Sequence, residues 1–115
     1  MSFYTSSAGP SYWLKERTSI NASSTFNTVS LPVGTFKTVK YIMSFWNTTQ
    51  GKTKSMDMLV NNENPDFNSA VGNKLGSLNV TVNETLSGSD MYLEITNNES
   101  YTVELDLAYI VLGGA

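Results

Sequence analysis

Neither cysteine nor histidine occurs among the 115 residues, and only 15% of them are charged. Without those two residue types there is no thiol nucleophile, no Ser-His-Asp triad, no haem ligand and no ordinary zinc site. A disulfide framework is likewise excluded, so stability has to come from core packing or from assembly. Lys and Arg number only 7 against 10 acidic residues, a net charge of −3. That balance argues against nucleic acid, because affinity for a phosphate backbone is built from cations. No apolar run approaches the roughly 20 residues that cross a bilayer. The first ten residues have neither a basic nor an apolar stretch, so no secretory signal is expected.

What the chain does have is Ser, Thr and Asn, about 40 of its residues together. Asn and Ser favour turns and Thr favours strands, while strong helix formers are few, so the composition reads as all-β. The length suits one domain with a single core. Alternation carries this further. Val39, Tyr41, Met43 and Phe45 share one parity and should point inward, against Lys40, Ile42, Ser44 and Trp46. Met56, Met58 and Val60 form a second such set; Leu78, Val80, Val82 and Leu86 a third; Met91, Leu93 and Ile95 a fourth; Val103, Leu105, Leu107, Tyr109 and Val111 a fifth. Polar turns separate these runs at 47–52, 61–65, 87–90 and 97–100, and Gly72 and Gly76 are expected to bracket another. Phe67 to Val71 reads as a short strand. The spacing predicts an antiparallel β-sandwich of immunoglobulin-like or jelly-roll-like type, with seven or eight strands over residues 25–115.

Residues 1–24 read differently, as an extended N-terminal arm with one short turn around Trp13 to Arg17. Its aromatics Phe3, Tyr4, Tyr12 and Trp13 are too many for a freely solvated tail. They are candidate anchors, either on the chain's own core or on a neighbouring subunit. Ile42, Ile110 and Leu112 interrupt otherwise polar faces, so the outer surface is expected to be partly covered, with Ile110 and Leu112 as interface candidates.

The chemistry-bearing residues are sparse. Glu94, Glu104 and Asp106 lie on solvent parities, and a pair of them such as Glu94 and Asp106 would have to face each other across a bond to act as a hydrolase pair; solubilising positions are the plainer reading. Asn61, Asn62, Glu63, Asn64 and Asp66 resemble an oxygen-rich cation loop but lack the spacing of an EF-hand, so a polar turn is expected. Five Asn-x-Ser/Thr triplets, at Asn21, Asn47, Asn79, Asn83 and Asn98, follow from the composition and are read as unmodified. Trp46 and Tyr92 are the candidates for a sugar-stacking platform, set against the alternative that Trp46 packs on protein. No cofactor, metal ion or catalytic residue is expected.

The strings FKTVKYIMSFWNTTQGKTKSMDMLVNNENPDF and NKLGSLNVTVNETLSGSDMYLEITNNESYTVELDLAYIVLG resemble a recurring module of tailed-phage virion proteins. The resemblance rests on Val39-Lys40-Tyr41, Met58-Leu59-Val60-Asn61-Asn62-Glu63, Gly76-Ser77-Leu78, Ser87-Gly88 and Leu93-Glu94-Ile95-Thr96-Asn97, spans residues 36–112, and departs from the pattern at Asn64-Pro65. It implies a non-enzymatic virion structural protein. The leading expectation is a capsid decoration or cement protein that docks through its N-terminal arm and sandwich surface onto a major capsid protein, as a homo-oligomer with a trimer expected. The alternatives are a head, neck or tail fibre module, or a carbohydrate-binding sandwich that takes surface glycans on its aromatics.

Overall fold

The structure is a computed structural model, and it describes residues 13–63 and 66–113. Nine strands fill nearly all of it: β1 (Leu14–Ile20), β2 (Thr25–Asn27), β3 (Leu31–Pro32), β4 (Thr38–Asn47), β5 (Lys52–Glu63), β6 (Asp66–Gly76), β7 (Val80–Ser87), β8 (Asp90–Asn97) and β9 (Val103–Leu112). A single 3-10 turn, Val33–Thr35, follows β3. The strands make two sheets. Sheet A has five, in the order β1-β9-β4-β5-β6; in sheet B, β8 is flanked by β7 on one side and by β2 and β3, end to end, on the other. All pairings are antiparallel.

Alternation puts the expected residues between the sheets. Val39, Tyr41, Met43 and Phe45 are buried, facing Met91, Leu93 and Ile95 of sheet B, with Val103, Leu105, Leu107 and Tyr109 completing the layer. Tyr41 and Tyr109 stack at 5.6 Å, and Phe67 meets Phe36 edge-on at 6.0 Å. Burial holds both tyrosine hydroxyls above their ordinary range of acidity, reinforced by the neighbouring Glu16 carboxylate. The end of β7 departs from the expectation: Leu86 has the inward parity but is 51% exposed, because the sandwich opens there.

Two polar side chains sit inside this core, and each replaces a missing backbone bond. Thr28 fills the gap between β2 and β3: its N–H donates to the Leu93 carbonyl at 3.0 Å and its hydroxyl oxygen accepts the Leu93 N–H at 2.9 Å. Asn97, with no exposed surface, directs its amide N–H groups at the carbonyls of Ile20, Asn21 and Tyr101 and accepts the Glu99 N–H. It thereby locks the β1–β2 turn to the β8–β9 turn.

Three expectations change. The boundary at residue 24 falls inside the sandwich, because Leu14–Ile20 is not part of an arm but an edge strand laid along β9 from Leu14 opposite Tyr109 to Ile20 opposite Val103. The Trp13 to Arg17 turn is accordingly absent. Gly72 to Gly76 is not a turn either. It continues β6 through a bulge, where one extra residue in β6 shifts the register between Ser55 and Asp57 and Asn73 takes φ of 51°. The chain then leaves sheet A at Gly76, whose φ is 102° and where any Cβ would collide with the Thr53 carbonyl.

Candidate functional site

With one parity of sheet A fixed in the core, the other must form its outer face, and register determines which residues become neighbours there. Along β4, Thr38 lies between Leu112 and Asn61, Lys40 between Ile110 and Leu59, and Ile42 between Ala108 and Asp57. Leu59 in turn adjoins Ala70 on β6. The result is a contiguous apolar group, Ile42, Leu59, Ile110 and Leu112 with the two alanines, centred on the stem of Lys40. Ile42 is 46% exposed, Leu59 48% and Leu112 39%. Single apolar residues on a surface need no explanation, but a cluster across three central strands is the candidate contact surface of this face.

The other end of the same face is polar and internally satisfied. Trp46 lies between Glu104 and Thr53, half-buried, with the Arg17 guanidinium carbon 5.8 Å from its ring centroid. Arg17 is held there by Asp106 at 3.0 Å, while Glu104 accepts the Ser19 hydroxyl at 2.6 Å. The indole face is therefore occupied by a cation. Glu16 points the other way, toward the core edge. Burial raises its pKa, opposed by the Val29 N–H that its carboxylate accepts.

The expected site residues are thus partly gathered and partly separated. Ile110 and Leu112 are neighbours on the apolar end, joined by Ile42. The contributions of Leu59 and Ala70 were not foreseen; the signal was available, since Leu59 and Lys40 share the outward parity on strands joined by a short turn. Trp13 is 45% exposed and stands one residue before β1 begins. Phe3, Tyr4 and Tyr12 lie outside the described residues. Tyr92 is on the outer face of sheet B, opposite Thr85, whereas Trp46 is on the outer face of sheet A, so the two rings do not form one platform. Glu94 also belongs to sheet B, where it accepts the Thr85 hydroxyl at 2.8 Å, and is thereby removed from Glu104 and Asp106 by the thickness of the sandwich. Among the described residues no three Asp or Glu side chains gather as a metal would require.

No family model matches the chain, and neither does any curated protein. Among solved structures, it is similar to part of the tailspike protein gp49 of Acinetobacter baumannii bacteriophage Fri1, a capsular polysaccharide depolymerase: TM-score 0.50 and 16% identity, covering 88% of this chain and 18% of that one. A second similar structure is the tailspike protein of Acinetobacter baumannii phage AM24, with TM-score 0.47 and 6% identity, covering 88% of this chain and 26% of the other. The chain therefore spans only about a fifth to a quarter of these proteins. The likeness to the Fri1 protein shows a shared fold, and it corrects one expectation. The resemblance to virion modules implies a non-enzymatic protein, yet the Fri1 tailspike, part of which shares this fold, is an enzyme. Nor is the Fri1 protein a head decoration protein.

Proposed function

We propose that this chain is a β-sandwich module of a phage tail fibre or tailspike-type protein, held among other virion protein surfaces through the apolar end of its sheet A face. The observation that carries the reading is the fold, shared over 88% of the chain with part of a phage tailspike. The outer-face cluster of exposed Ile42, Leu59 and Leu112 around half-buried Ile110 supports it. A domain that is one part of a larger adhesive assembly needs at least one apolar face for its neighbours, and polar Ser, Thr and Asn elsewhere.

A decoration protein on the head would also be a sandwich with an apolar docking face, but it has no support from the structural neighbours. Immunogold labelling separates the two. Antibody raised against the chain should decorate the tail tip or fibres of intact particles, and labelling spread over the capsid would reverse the assignment. Substituting Ile42→Lys, which touches an exposed side chain and no core contact, should remove the module from particles while leaving its melting temperature within about 2 °C.

A further inference from the structure

Sheet edges invite pairing with another chain unless something blocks them. Sheet A ends at β1 and β6, sheet B at β7 and at the β2/β3 line. Three of these edges are obstructed. β1 carries Lys15, Glu16 and Arg17 in succession. The β2/β3 edge is two short strands interrupted at Thr28–Ser30 and closed by Pro32. β7 is recessed: its Val80 and Val82 share a groove of about 160 Å³ with Met56 of β5 and Val71 of β6, while Ser69 and Val71, of inward parity on β6, stay exposed beyond it. A second sandwich approaching β7 edge-on would strike β6 first.

β6 is the open edge. It is 11 residues long and exposed along almost its whole length, and Val71, though it has the inward parity, is 40% exposed because sheet B does not reach over it. Its protective features, the Asn73 bulge and Lys74, lie in the second half. The first half, Asp66 to Gly72, is regular and in unbroken register with Glu63 to Asp57. Its only charge is Asp66 at one end.

That regular stretch is self-complementary about its central residue. Paired antiparallel with itself, Ser69 falls opposite Ser69 of a second copy, Asn68 opposite Ala70, Phe67 opposite Val71, and Asp66 opposite Gly72. The pairing places the exposed Val71 of each copy against the half-buried Phe67 of the other, twice, on the inward face of β6. No like charges meet, and the two B sheets are kept apart by the overhang of β6. We propose that β6 is a homotypic docking edge, at which a second copy of this chain pairs through Asp66–Gly72 about a two-fold axis at Ser69 and joins two A sheets into one. This rests on the edge alone and is independent of the tailspike reading.

The chain's lack of cysteine makes the test clean, since an introduced thiol has no competitor. Directly opposed residues of an antiparallel pair have Cα atoms about 4.5–5.5 Å apart, within the range a disulfide spans. Under mild oxidation Ser69→Cys should form a covalent dimer at least tenfold faster than Thr81→Cys, an exposed position on β7. Adding Val71→Lys to Ser69→Cys should slow the reaction at least tenfold with an unchanged far-UV CD melt. A ratio below tenfold between Ser69→Cys and Thr81→Cys overturns the proposal. If Ser69→Cys melts lower than the parent, Asn68→Cys paired with Ala70→Cys in a mixed sample replaces it under the same criterion, since the two face each other only in this register.

Discussion

Asn97 offers the sharpest test of how the sandwich is held together. It is fully buried, and its side chain serves four backbone groups: the carbonyls of Ile20 at 2.9 Å, Tyr101 at 2.8 Å and Asn21 at 3.2 Å, and the N–H of Glu99 at 2.9 Å. In Asn97→Ala these four lose their partner at once. The bond to the Ile20 carbonyl is buried, whereas those to Asn21, Tyr101 and Glu99 are part-buried, where water can reach. Leaving the buried Ile20 acceptor unsatisfied costs about 1–3 kcal/mol, and the part-buried groups add less. Against a total of the order of 5–15 kcal/mol that is a substantial fraction, and in a domain of this size it lowers Tm by roughly 5–15 °C. Asn97→Asp should be at least as damaging at neutral pH, because it keeps the shape but turns a carboxylate oxygen toward three carbonyls. Asn98→Ala, next door but exposed, loses only contacts to Thr81 and Asn79 and should cost about 0.5 kcal/mol or less. Urea and thermal unfolding of the three variants provide the assay. An Asn97→Ala protein within about 0.5 kcal/mol of the parent would refute the reasoning, since no rearrangement of a packed core supplies four new partners.

Two further outcomes follow from single residues. Gly76→Ala should destabilise by at least about 1 kcal/mol more than Gly51→Ala: both glycines have positive φ, but only at Gly76 does an added Cβ meet backbone, at the Thr53 carbonyl; equal urea midpoints would show that the strand exit relaxes freely. Glu16→Gln should stabilise the protein at pH 7. Burial raises the Glu16 pKa above its ordinary 4.5, so this group's favourable contribution is present below that value and is lost as pH rises through the raised one. The gap between the variant and the parent should therefore shrink from pH 7 to pH 4, and a variant that is less stable at pH 7 contradicts the assignment.

Much of the fold was legible because a half-buried strand writes its burial into its parity. The inward residues of Val39–Phe45, Met91–Ile95 and Val103–Tyr109 could be placed from alternation alone, and all of those are buried. β1 was not legible for the same physical reason. Its inward positions are Leu14, Glu16, Thr18 and Ile20, so a carboxylate and a hydroxyl stand where apolar residues would have given the signal. β6 was misread because Gly72 and Gly76 look like turn residues. One of them packs beside the Asp57 carboxylate, while the other makes the turn that the strand needs only at its end. Asn97 sat in an expected turn, and nothing in a string of Asn, Asn, Glu and Ser distinguishes the residue that is swallowed by the core from its exposed neighbour. The outer face was half visible. Ile42, Ile110 and Leu112 announced themselves by breaking polar parity, but register between strands was needed to bring Leu59 and Ala70 beside them.

The most direct measurement of the central claim is quantitative mass spectrometry of separated heads and tails from purified particles. Peptides of this chain should follow the tail fraction, at a stoichiometry matching the fibre or spike protein, and be absent from tail-free heads. Recovery of the chain with the heads, in proportion to the major shell protein, would contradict it.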